Sequence, residues 1–86
     1  MSKKGQVSRP DQRIKKLLAE VLQMSEEKIT DDLAMEDVDV WDSLKHMELI
    51  VSLEQTFEIE LSFDEIVVMK TVAEIKRVLG QKSAVN

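Results

Sequence analysis

The sequence predicts an all-α fold: three main helices and one short helix, with a long loop between the first and second. Three observations carry this. Of the 86 residues, 43% are hydrophobic but only 3% aromatic, so the core must be built from Leu, Ile, Val and Met, which suits packed helices better than a β-sandwich. Two glycines and one proline are too few turn-formers for a many-stranded fold. The apolar residues recur at helical spacing.

Residues 1–9 are expected to form a flexible tail, residues 10–80 the folded domain, and residues 81–86 a second, frayed tail. The first helix is expected from Pro10 or Asp11, because proline is tolerated in a first turn. Its apolar stripe is Ile14, Leu17, Leu18, Val21 and Leu22. A long connection then runs from about Gln23 to Asp42, with Ile29, Leu33, Met35 and Val38 as apolar pins and a turn of helix capped by Ser25.

The second helix is expected over Ser43 to Phe57. At 100° per residue its apolar side chains span an arc of roughly 220°, about twice what one core-facing stripe needs. Either the domain surrounds this helix, or the helix leaves apolar surface for a visitor. Ser62 and Glu65 form a capping box that starts a short helix over Asp64 to Met69. Thr71 and Glu74 form another, starting a last helix with the stripe Val72, Ile75, Val78 and Leu79, and Gly80 is placed to end it.

Net charge is −5, and it is unevenly spread. Between Ile29 and Met69 stand twelve acidic residues and one basic residue, Lys45. An acidic middle argues against nucleic acid and favours proteins with basic docking surfaces. No apolar run reaches the ~20 residues of a membrane span, so stable membrane insertion is not expected. The absence of cysteine excludes disulfides, thiolate metal sites and a cysteine nucleophile, and fits a reducing compartment such as the cytoplasm.

Candidate chemistry is limited. His46, the only histidine, falls inside the apolar arc without a nucleophile beside it, which reads as a packed residue rather than a base. No catalytic residue is assigned, and the chain is not expected to be an enzyme. Asp37, Asp39 and Glu48 match three places of a calcium loop, but Trp41 stands where an oxygen ligand is needed and Asp42 where a glycine is needed, so no metal ligand is assigned. Ser43 remains. It, or Asp42, can cap the second helix. It can also carry a modification, because a helix start offers unpaired N–H donors and partial positive charge that stabilise an attached phosphate.

At Asp42, Ser43 and Leu44 the chain resembles the acyl carrier proteins and related peptidyl carriers. Asp-Ser-Leu alone is a weak motif. Followed by "MELIVSLEQTFEIEL" and then "MKTVAEI" at the family's spacing it is strong, and the similarity covers roughly residues 12–80. "WDSL" is more similar to free-standing carriers of specialised pathways than to the housekeeping fatty-acid carrier. The resemblance implies an acyl-carrier-like helical bundle with 4′-phosphopantetheine on Ser43, flanked by Asp42 and Leu44. A phosphopantetheinyl transferase would supply that group from coenzyme A, and acyl or aminoacyl groups would ride on its thiol as thioesters. It implies a partner-facing surface of Trp41, Leu44, Lys45, Met47, Glu48 and Val51. Ligases, acyltransferases or synthases would dock there, and the chain would act as a monomer. It also implies a cargo cavity among Met47, Val51, Leu53, Met69 and Ile75. Cargoes in the family range over fatty acyl, hydroxyacyl, polyketide and aminoacyl groups. Val40 stands where many members have glycine, and Lys45, followed by His46, where many fatty-acid carriers have an acidic residue. Trp41 reads either as a lid packed on the loop or as a direct partner contact. The alternative to a loaded carrier is an unmodified helical interaction module with the same fold.

Overall fold

Helix α1 spans Pro10–Leu22, and its expected stripe is what holds it: Ile14, Leu17, Leu18 and Leu22 are buried and Val21 is half-buried. The computed structural model describes residues 10–83, so the expected tail at residues 1–9 and the last three residues lie outside the described residues. Helix α2 spans Ser43–Phe57, α3 spans Phe63–Val68 and α4 spans Val72–Ser83. Among the described residues there is no strand, and the all-α expectation of three main helices and one short one holds.

Both α1 and α2 end in a left-handed residue that is not glycine, Gln23 at φ 58° and Glu58 at φ 55°. The bonds Met24 N–H to the Ala19 carbonyl (2.9 Å) and Ile59 N–H to the Glu54 carbonyl (3.1 Å) close each helix in a Schellman pattern. The Ser62 capping box forms in both directions, with Ser62 N–H donating to Glu65 Oε1 at 2.8 Å and Glu65 N–H donating to Ser62 Oγ at 3.2 Å. The second expected box is half made. Glu74 N–H donates to Thr71 Oγ1 at 3.1 Å, but the Glu74 carboxylate turns to Arg77 instead. Gly80 does not end α4. Its φ is not positive, it has open space around it, and the helix continues to Ser83.

The long loop is a structured strap. Two 3-10 turns, Glu26–Lys28 and Met35–Asp37, interrupt it. Ser25 precedes the first turn but makes no side-chain cap, contrary to expectation. Ile29 is buried, and Leu33, Met35 and Val38 pack half-buried on the core. An antiparallel bridge, Ala34 with Thr71, ties the strap to the start of α4, through Met35 N–H to the Lys70 carbonyl (2.8 Å) and Val72 N–H to the Leu33 carbonyl (3.0 Å). The Lys76–Asp31 ion pair at 2.6 Å reinforces the same seam. The core joins Leu18 and Leu22 of α1, Leu49, Ile50 and Leu53 of α2, Met69, and Val72, Ile75 and Leu79 of α4. The strap therefore delivers the chain to the start of α2 with little freedom left.

Candidate functional site

Asp42 settles which residue caps α2. Its backbone is extended, and its Oδ1 accepts from Lys45 N–H at 2.8 Å. Ser43 is the first helical residue, it is exposed, and its hydroxyl has no hydrogen-bond partner among the described residues. With Asp42 serving Lys45, the N–H groups of Ser43 and Leu44 point out of the helix start without an intrahelical acceptor. The site thus presents a free hydroxyl beside two free donors and the positive end of a fifteen-residue helix. Those features suit a serine that bears a phosphate ester.

Trp41, one residue before the cap, is the deepest part of the site. It is 2% exposed, so of the two readings the packed lid fits and direct partner contact is corrected: the indole is a structural anchor. Its Nε1–H donates to His46 Nδ1 at 3.0 Å, and the rings lie 6.2 Å apart at 30°. An indole nitrogen only donates, so Nδ1 accepts and the ring proton of His46 sits on Nε2. That proton faces the carbonyl of Ile66 in α3, 3.0 Å away. The result is a bar, Trp41–His46–Ile66, buried at the indole and half-buried at the Ile66 carbonyl, linking the end of the strap, the first turn of α2 and the short helix. Sequence reasoning recognised both residues as unusual but did not pair them.

The arc of α2 splits as its width required. Leu49, Ile50 and Leu53 face the core, while Leu44 (80% exposed), Met47 (48%) and Val51 (46%) face outward beside Ser43. Glu48 is exposed on the same helix and holds Lys45 through an ion pair of 3.1 Å, which neutralises the one basic side chain of the acidic segment. Phe63, Val67 and Val68 of α3 add further exposed apolar surface.

An open groove of about 790 Å³ lies beside the serine, lined among others by Met35, Trp41, Ser43, Met47, Val67 and Lys70. Of the five residues expected around a cargo cavity, only Met47 lines it. Leu53, Met69 and Ile75 are fully buried in the common core, and Val51 is exposed outside the groove. The open groove therefore does not gather the expected set. A second hollow of about 660 Å³, bordered by Arg13, Lys15, Lys16 and Glu20, does not include Ser43.

At the far end of α3 the backbone N–H of Ser62, with help from Lys82, holds the Glu65 carboxyl below its ordinary value. Lys82 Nζ lies 3.0 Å from Glu65 Oε1 and fastens α3 to the end of α4.

Residues 12–79 match the family model described as a phosphopantetheine attachment site. The chain is also 42% identical, over 62 residues, to the acyl carrier proteins of Buchnera aphidicola subsp. Acyrthosiphon pisum strains Tuc7, 5A and APS, a match covering 72% of this chain and 78% of each relative. The free hydroxyl at a helix start, the all-helical bundle and these similarities converge. The chain belongs to the acyl carrier family, and its prosthetic group is a covalently attached 4′-phosphopantetheine.

Proposed function

We propose that Ser43 is the attachment point and that the protein shuttles acyl or aminoacyl groups between enzymes. The observation that carries this is the division of labour at the start of α2, where Asp42 caps the helix and Ser43 keeps its hydroxyl free and exposed. Ser43 Oγ would displace 3′,5′-ADP from the phosphorus of coenzyme A, giving up its proton within a phosphopantetheinyl transferase. The N–H groups of Ser43 and Leu44 and the helix end then stabilise the phosphate charge. When bound, the group supplies a terminal thiol that holds the acyl unit as a thioester, which explains how a chain without cysteine serves thioester chemistry.

The chain's own contribution is presentation. Leu44, Met47 and Val51 form an apolar strip that a ligase, acyltransferase or synthase can cover, and Glu48 with the acidic middle steers basic docking surfaces toward it. The family is one of carriers, and this chain is proposed to do no catalysis itself. No helix among the described residues is long and apolar enough to cross a membrane, and a cytoplasmic carrier fits the absence of cysteine.

Coexpression with a broad-specificity transferase should raise the intact mass by one phosphopantetheine. Ser43→Ala should abolish the increase and leave the helical circular dichroism unchanged. An unmodified wild-type mass across several transferases refutes the assignment and leaves the unmodified interaction module.

A further inference from the structure

The Trp41–His46–Ile66 bar lies across the gap between α2 and α3, immediately behind the groove that Ser43 lines. Behind it Leu49, Leu53, Met69 and Ile75 are closed to solvent. A chain pushing inward between the two helices must first break two hydrogen bonds, one buried and one half-buried. That leaves an indole N–H, an imidazole and a carbonyl unpaired before the first methylene meets the core. The groove outside the bar offers apolar contact without that cost, from Met35, Met47 and Val67. Lys70, Thr71 and Glu36 add polar groups to its lining.

Resting on the assignment of Ser43 as the attachment point, we infer that an acyl group on this carrier rides in the surface groove beside Ser43 and that Trp41 and His46 bar it from the interior. The two residues line the inner wall of the groove and meet each other through their polar edges, so they are positioning residues that decide how deep cargo can go. Cargo held this way gains little from added length. The arrangement suits acyl groups that are short, or that carry polar substituents within reach of Lys70 and Thr71. It leaves the thioester exposed to the next enzyme.

The test uses the full chain loaded through Ser43 with amide-linked butanoyl or dodecanoyl pantetheine, the intact mass confirming loading, and follows methyl signals by NMR. Methyls of Met35, Met47 and Val67 should shift on loading, while those of Leu53, Met69 and Ile75 should be the same with either chain. In His46→Ala the signals of Leu53, Met69 and Ile75 should become sensitive to chain length. Core methyls that move with chain length in the wild type overturn the inference, and so does loading that moves neither set. Should His46→Ala fail to fold, the wild-type spectra decide alone. A chain that gains no mass refutes the Ser43 assignment instead, a distinct outcome read before any spectrum.

Discussion

Trp41→Phe tests the anchor on which the position of Ser43 depends. The change keeps an aromatic ring but deletes the N–H that donates to His46 Nδ1 at 3.0 Å in a buried setting. A net hydrogen bond of this kind contributes about 1 kcal/mol, and an acceptor left unpaired raises the loss to about 1–2 kcal/mol. Roughly 40 Å³ of lost ring volume, at about 24 cal/mol per Å³, adds about 1 kcal/mol if the site does not collapse. The sum is about 2–3 kcal/mol, which for a domain of this size lowers the melting temperature by roughly 8–24 °C. Urea unfolding followed by far-UV circular dichroism measures it without relying on the lost indole fluorescence. His46→Ala supplies the control. If the bond exists, the double variant costs about 1 kcal/mol less than the two single changes together. Additivity within about 0.3–0.5 kcal/mol, or a single-variant loss below about 0.5 kcal/mol, refutes the buried bar.

Asp42→Ala should cost about 1 kcal/mol in urea unfolding by removing the cap on Lys45 N–H, whereas Asp42→Asn should cost little because both residues cap well. Glu58→Gly should stabilise the domain by about 0.5–1 kcal/mol, since the left-handed conformation at φ 55° strains a residue with a Cβ. Glu65→Gln should be less stable than the parent at neutral pH, by urea midpoint. The parent's Glu65 has a lowered value in the fold, so its contribution is present above the unfolded-state value and is lost as pH falls through the folded one. The gap between the two proteins should therefore close on acidification, and a gap independent of pH contradicts the assignment.

The helices were legible because their signals are local. The stripes of α1 and α4 and the Ser62 capping box depend on residues within one or two turns of each other, and the structure reproduces them. Ends that rest on backbone conformation were less legible. Gly80 adopts ordinary helical geometry, while the left-handed turns fall on Gln23 and Glu58, where no glycine announces them. Asp42 and Ser43 are both competent caps, so only the geometry could separate them. The Trp41–His46 pair spans a loop-to-helix junction, where neither helical nor strand periodicity predicts which side chains meet. The cargo residues had no local signal of their own. Leu53, Met69 and Ile75 were placed by resemblance, and here their side chains are spent on the core.

The arrangement around Ser43 joins a fixed frame to an unsatisfied surface. Three independent constraints converge on the start of α2: the strap bridged to α4 at Ala34 and Thr71, the indole locked into His46, and the carboxylate of Asp42 on Lys45 N–H. Each lowers the freedom of the segment that presents the serine. A partner then spends little of its binding energy ordering that segment, and more remains for Leu44, Met47 and Val51. A carrier must bind several enzymes in turn and leave each one, which calls for a small apolar strip rather than a large permanent interface. Rigidity in the frame makes so small a strip sufficient. The stable half of the site lies in Trp41, Asp42 and His46, and the proposed docking strip lies in the exposed residues beside Ser43. Variants of the first kind should lower stability and loading together, whereas Leu44→Ala or Val51→Ala should weaken transfer to particular enzymes with the fold intact.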